Sequence, residues 1–402
     1  MSLQTFPQEL INSIVNEIYD DHDALYACTL VNHAFLSAAR FHFHSLINVE
    51  ASHEVSSKLL ELISISPGFC SAVKAVRLIF KSNESSGDHD AEELSLLPHV
   101  LRALSNLTAF SIRGCSRTIP SRLCQDLPLC PNIRSLSLTS LNFASPTDFL
   151  LLCIRFPGIQ GIHLLNIGHF GAESGDPNDI GPRPRPEYLC LRRMKGDVLK
   201  YIDTSRLKKI RLTGAPGHQL HDIIQSTLIN AAPKLEEVVI NTEPHRTNAL
   251  DLSRIPRITV QHFNYLREPF AGLKNLFFDK YPRELFAVKE LTLKLYLFPE
   301  RILSCEESQW AWLEDILLAV RDRVNIIVVV DHGDLDRYEA DCVQKFSSAM
   351  PRLDNRGTLE VYMVEGISRS RDDAQILHCG SFFIPRKKID VDAIGVRKRG
   401  ET

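Results

Sequence analysis

The residues best suited to chemistry stand at Asp331-His332-Gly333-Asp334, directly after the aliphatic run Asn325 to Val330. A buried strand ending in two carboxylates and a histidine is an arrangement from which α/β enzymes hold metal ions or move phosphoryl groups. No supporting motif accompanies it: the chain holds no GxSxG, HExxH, Walker loop or dinucleotide fingerprint. A polar turn is the plainer reading. His42 and His44 are spaced to face one metal from a strand, but no cysteine or carboxylate joins them at ligand spacing. The ten cysteines form no CxxC pair, and Cys28, Cys70 and Cys153 sit within apolar runs, where a thiol acts as a small hydrophobe. The expectation is a protein without catalytic residues, metal or cofactor; an enzyme using Asp331 and Asp334 is the third reading.

A hydrophobic fraction of 44% against 24% charged residues places the chain among folded globular proteins. The formal net charge of -3 supplies no global field toward nucleic acid or an anionic membrane, so partners are read from local surfaces. Met1 to Leu10 lack a basic start and an apolar stretch, and Ile326 to Val330 is too short to span a bilayer. Cytoplasm or nucleus is the expected location, with no nucleic-acid or membrane partner.

The elements around these residues follow a repeat. The pattern apolar-x-x-apolar-x-apolar returns at Val73/Val76/Leu78, Leu107/Phe110/Ile112, Ile133/Leu136/Leu138, Ile159/Ile162/Leu164, Pro186/Leu189/Leu191, Leu207/Ile210/Leu212 and Leu235/Val238/Ile240. Successive starts lie 34, 26, 26, 27, 21 and 28 residues apart, around the spacing of leucine-rich repeats. Pro131, Pro157 and Pro233 each stop a helix before the next strand. Helical runs are predicted over 55–65, 92–104, 147–154 and 219–231, so strand and helix alternate and the sheet should be parallel. A weaker continuation runs through Ile255/Ile258/Val260 and Val288/Leu291/Leu293. A helix capped after Ser304 and strands over 325–330 and 359–364 follow. The ninth repeat position, where Asn or Cys usually satisfies the turn, holds Leu141, Ile167, Met194, Ala215 and Glu243, and only Cys115 fits. A less regular α/β sheet is therefore the alternative fold.

Side chains between the apolar ones point to the opposite face of such a sheet. There the sequence offers Ser111, Ser135 and Ser137, then His163, Tyr188, Arg192, Lys209 and Arg211. Cations beside aromatic rings would suit an acidic or phosphorylated segment of an unknown protein target. A solvated sheet face is the other interpretation.

The first fifty residues read as three short helices. Pro7 belongs to the first turn of one, with Glu9 at the positive end of its dipole. Leu10, Ile11, Ile14, Val15 and Ile18 fall within an arc of about 140° at 100° per residue, one apolar face. The loop Asp20 to Asp23 offers an N-cap for a helix over 24–31, and Asn32 one for a helix from His33 to about Arg40. Phe6-Pro7-Gln8-Glu9-Leu10, Ile14, Ile18, Asp23, Leu25 and Leu30-Val31 resemble the F-box and F-box-like motif over residues 4 to 45. The stretch Ala34 to His42 is similar to the one that follows it in many fungal F-box-like proteins. Phe6 stands where the family usually has Leu, and Phe35 where it often has Trp; neither departure removes apolar bulk. The resemblance implies docking onto the SKP-family linker of a cullin-RING ubiquitin ligase through Phe6, Pro7, Leu10, Ile11, Ile14, Ile18, Leu25, Leu30 and Val31.

The expected architecture is α/β: a helical docking unit over 1–48, an irregular leucine-rich-repeat-like solenoid with a parallel sheet over 49–298, an α/β continuation or cap over 299–384, and a basic flexible tail over 385–402. The first functional reading is the substrate-recognition adaptor of an SCF-type ligase. The second is a repeat scaffold whose amino-terminal helices only cap the stack.

Overall fold

The computed structural model describes residues 7–18, 22–43, 45–80, 94–168, 182–192, 194, 198–213, 225, 227–228, 231, 234–242, 252, 254–263, 273, 276, 288–296, 299–330, 335–356 and 359–365. Phe6, the residues from Asp331 to Asp334 and the basic tail lie outside them. The chain divides into two compact units, one running to Ile159 and one from Gln160 to Phe170 and from Arg183 onward. That division falls inside the span expected for the repeats.

The first unit begins with α1 (Gln8–Glu17), α2 (His22–Val31) and α3 (His33–Phe43). Pro7 sits at the N-cap of α1, one place earlier than the first turn, and its carbonyl accepts from the N–H groups of Leu10 and Ile11 at 3.0 and 3.2 Å. Asn32 Oδ1 accepts from the Phe35 N–H at 3.0 Å and caps α3, as its residue type requires. Ile11, Val15, Leu25 and Ala39 form a buried cluster, with Ile18, Cys28, Ala34, Phe35 and Ala38 packed against it. All but Ile18, the C-cap of α1, lie within the three helices.

Then follow β1 (Leu46–Glu50), α4 (His53–Ile65), α5 (Pro67–Ala72), β2 (Ala75–Ile79), α6 (Leu97–Ala103), β3 (Ala109–Ile119), α7 (Ser121–Asp126), β4 (Ser135–Phe143) and α8 (Pro146–Ile154). β1 to β4 pair in order and in parallel. Their register aligns Val76, Phe110 and Leu136, then Leu78, Ile112 and Leu138, all fully buried. The helix expected over 92–104 starts at Leu97, with Pro98 in its first turn. Ser145 and Asp148 form a reciprocal capping box on α8, with Pro146 in its first turn.

The second unit contains β5 (Gly161–Leu165), β6 (Tyr188–Arg192), β7 (Lys209–Thr213), β8 (Glu237–Thr242), β9 (Arg257–Phe263), β10 (Glu290–Tyr296), β11 (Arg323–Val330) and β12 (Leu359–Glu365), each parallel to the next. Ile162, Leu189, Ile210, Val238, Ile258, Leu291 and Val324 align across seven of these strands and are buried on one face. The weaker continuation thus forms two full strands. Between β6 and β7, at the shortest repeat spacing, the connection holds the 3₁₀ turns Val198–Tyr201 and Thr204–Arg206 where the alternation would put an α-helix. For the helix expected over 219–231, the described residues Gln225, Thr227, Leu228 and Ala231 are helical. α9 (Pro299–Leu303), α10 (Glu307–Leu317), α11 (Leu335–Ala349) and α12 (Pro351–Arg356) complete the unit. The N-cap of α10 is Glu306, without a side-chain cap bond, and not Ser304.

A backbone device marks the repeat. The carbonyl of the residue just before a strand repeatedly accepts from two successive N–H groups at the start of the next strand. Ser45, Lys74 and Thr108 do this in the first unit, and Gln160, Glu187, Lys208, Pro256 and Lys289 in the second. The ninth-position anomaly also has a physical reason. Leu141, Ile167 and Met194 are buried, so this position contributes core volume instead of a turn hydrogen bond. In two of these turns the chain bends one residue earlier, where Ser140 and Asn166 both adopt φ 52°, a left-handed conformation that Asn tolerates better than most residues. Among the described residues, no helix is long and apolar enough to cross a membrane.

Candidate functional sites

The first candidate lies on the helical head. Buried and exposed aliphatic side chains alternate along α1: Ile11 and Val15 close the head's own cluster, while Leu10 and Ile14, one turn apart, are 45% and 42% exposed. On α2, Leu25 is buried, whereas Tyr26, Leu30 and Val31 are 62%, 72% and 62% exposed. Of the residues that the family resemblance assigns to the linker, Pro7, Leu10, Ile14, Leu30 and Val31 stand at the surface. Ile18 is half-buried against the cluster, and Ile11 and Leu25 belong to this chain's own interior. The single apolar arc of α1 is thus shared between an internal core and an outward strip. An amphipathic period registers apolar spacing, but it does not say which flank of a wide stripe a small domain can cover.

The second candidate is the polar face of the second unit's sheet. In register, one row runs His163, Cys190, Arg211, Val239, Thr259, Thr292, Asn325, and the row two residues on runs Leu165, Arg192, Thr213, Asn241, Gln261, Lys294, Ile327. Alternation along the strands brings the predicted His163, Tyr188, Arg192, Lys209 and Arg211 to this one face. They do not act as a uniform basic patch. Lys209 Nζ lies 2.6 Å from Glu237 Oε2, and Thr259 Oγ1 donates to Glu237 Oε1 at 3.3 Å. Arg211 Nη2 donates to Gln261 Oε1 at 2.7 Å, its side chain reaching from β7 across β8 to β9.

His163 is 5% exposed, with its ring 5.1 Å from that of Tyr188 at an interplanar angle of 55°. Burial pushes its pKa down to about 4, with the Arg211 charge adding to the effect, so the imidazole is neutral at neutral pH. Among the described residues its Nδ1 has no hydrogen-bond partner, and neither do Thr213 Oγ1 and Asn241 Oδ1. Reading for cations and aromatics missed Glu237, Gln261, Thr213 and Asn241. Their positions in the repeat, equivalent to those of the predicted residues, were the available signal.

Other chemistry is muted. Cys28, Cys70, Cys124, Cys130, Cys153, Cys190, Cys305 and Cys342 are free thiols, and burial, followed by the Asp148 charge, pushes Cys124 up to about 12, away from nucleophilic use. Among the described residues, no group of three or more His, Cys, Asp or Glu is disposed to hold a metal. In the first unit a cavity of about 270 Å³ opens beside α6 and α7, lined in part by His99, Arg102, Arg122 and Asp126. Arg122 is paired there with Asp126 at 3.1 Å. No protein-family profile matches this chain, and no curated protein matches it.

Proposed function

We propose that this chain is a substrate-recognition adaptor of an SCF-type cullin-RING ubiquitin ligase. The helical head holds the SKP-family linker, the repeat sheet holds the protein to be modified, and the ligase complex supplies the chemistry. One observation carries the reading: Leu10, Ile14, Leu30 and Val31 are uncovered on a head whose own cluster is already closed by Ile11, Val15, Leu25 and Ala39. An amphipathic helix with aliphatic anchors one turn apart suits an apolar groove, and each anchor that becomes buried contributes about 1.5–3 kcal/mol. The head's closed cluster favours this role over that of a mere end cap, which would direct its apolar surface toward the repeats.

Calorimetric titration of the full chain with a purified SKP-family linker tests the proposal. The wild type binds, and Leu10→Ala with Ile14→Ala weakens binding roughly a hundredfold or more, with an unchanged melting temperature. Equal affinity of wild type and double variant would overturn the docking face. No binding by the wild type would leave the repeat scaffold as the function.

A further inference from the structure

The polar face of β6 to β9 carries buried polar oxygens that nothing in the described fold uses. Thr213 Oγ1 and Asn241 Oδ1 are register neighbours on β7 and β8, both shielded from solvent and both without a partner among the described residues. A buried polar atom left in this state normally costs about 1–3 kcal/mol, so its retention calls for an explanation. Arg211 supplies one. Its guanidinium bonds to Gln261 on β9, and Gln261 is the register partner of Asn241. The arginine therefore lies across β8 at the level of Asn241. These residues stand toward the carboxyl ends of parallel strands, where sheets of this class take their ligands.

We propose that this face captures a carboxylate-bearing peptide segment, with Arg211 acting as a latch. The segment's carboxylate takes the Arg211 guanidinium from the neutral amide of Gln261, and the displaced arginine uncovers Thr213 and Asn241 for main-chain N–H groups of the same segment. A carboxylate carries a full negative charge and can take two parallel N–H groups of the guanidinium, whereas the Gln261 amide is neutral and accepts one, which gives the exchange its direction. A carboxylate fits better than a phosphoryl group. The waiting oxygens can accept from N–H donors, the neighbouring His163 is neutral, and Arg192 and Lys294, in the same row, are engaged in interactions of their own, so the Arg211 guanidinium is the charge that meets a single carboxylate. Lys209 is no part of the site, because Glu237 already neutralises it. This inference rests on the part of the proposed function that assigns target capture to the sheet, and it is independent of the linker.

The test is fluorescence anisotropy of the full chain with labelled hexaglutamate, hexaglutamine and phosphoserine-containing peptides. Hexaglutamate binds at least tenfold more tightly than hexaglutamine and than the phosphopeptide. Arg211→Gln removes that preference, Lys209→Gln leaves it within twofold, and Gln261→Leu strengthens hexaglutamate binding several-fold because the latch is already open. The Gln261 variant keeps the test decisive should Arg211→Gln fold poorly. Equal binding of the three peptides, tighter binding of the phosphopeptide, or weaker binding by Gln261→Leu would each overturn the proposal. Leu10→Ala with Ile14→Ala, run in parallel, retains hexaglutamate binding, which separates this site from the linker-docking face.

Discussion

The buried carboxylate of Glu314 on α10 caps the amino end of α12 and pairs with Arg352. Its Oε1 accepts from the backbone N–H groups of Arg352 and Leu353 at 2.6 and 3.1 Å, and its Oε2 lies 2.8 Å from Arg352 Nε. One side chain thus satisfies two N–H groups that the start of a helix leaves without partners, and does so beside the T-shaped pair of Trp310 and Phe346. Glu314→Ala strands those two donors and is expected to cost about 2–4 kcal/mol, as leaving buried backbone N–H groups without acceptors does. Arg352→Ala leaves both backbone N–H groups on the carboxylate and takes from it only the bond to Oε2, so it is expected to cost less than Glu314→Ala. Denaturant unfolding of the two variants checks the ordering; equal losses would contradict it.

His163 makes the stability of the second unit sensitive to acid. Its folded pKa of about 4 lies below its ordinary value of 6.5, so the unfolded chain binds the proton first as pH falls. The contribution is complete above pH 6.5 and is lost as pH drops to about 4. The gap between the two values corresponds to roughly 3 kcal/mol. His163→Gln should flatten the dependence of the unfolding midpoint on pH across this window. An unchanged slope in the variant would assign the acid sensitivity to other groups.

Much of the fold is legible in the residues, because a repeat states its pattern many times. Ile258 and Leu291, though in the weaker stretch, fall in the same buried row as Ile162 and Leu189, since parallel register places equivalent positions side by side. What escaped was pairing across strands. Lys209 and Arg211 look alike as cations in the sequence, yet one meets Glu237 on the adjacent strand and the other reaches Gln261 two strands away. Such partners are separated by long connections, and only the register brings them together. The division of α1 into inner and outer aliphatics was hidden for a related reason. Ile11 and Leu10 are chemically equivalent neighbours, and the packing of α2 and α3 decides which one is covered.

Gly158 is required by a close backbone approach. A Cβ at this position would press into the Pro131 carbonyl oxygen and stand 2.9 Å from Arg134 Nη1, whose present bond to the Gly158 carbonyl is 3.2 Å long. The carbonyl cannot yield as a side chain can, so Gly158→Ala is expected to lower stability by about 1–3 kcal/mol. Gly68→Ala is the control, since nothing lies within 4 Å of its added methyl. A melting comparison in which both variants matched the wild type would contradict the crowding.

Leu25 separates two ways of losing the linker. The resemblance assigns it to the interface, yet it is fully buried with Ile11 and Val15 in the head's own cluster. Its truncation acts first on folding: Leu25→Ala is expected to cost the head about 2–5 kcal/mol, and a unit this small has roughly that much to lose. Leu10→Ala, at an exposed position, should change stability by no more than about 0.5 kcal/mol. Hydrogen exchange followed alongside linker affinity distinguishes the cases. In the Leu25 variant, amides of α1 to α3 lose protection together with binding; in the Leu10 variant, binding weakens while protection holds. Lost affinity in the Leu25 variant with full protection of those amides would place this side chain in the interface itself, and the division of the head into an inner cluster and an outer docking strip would fail.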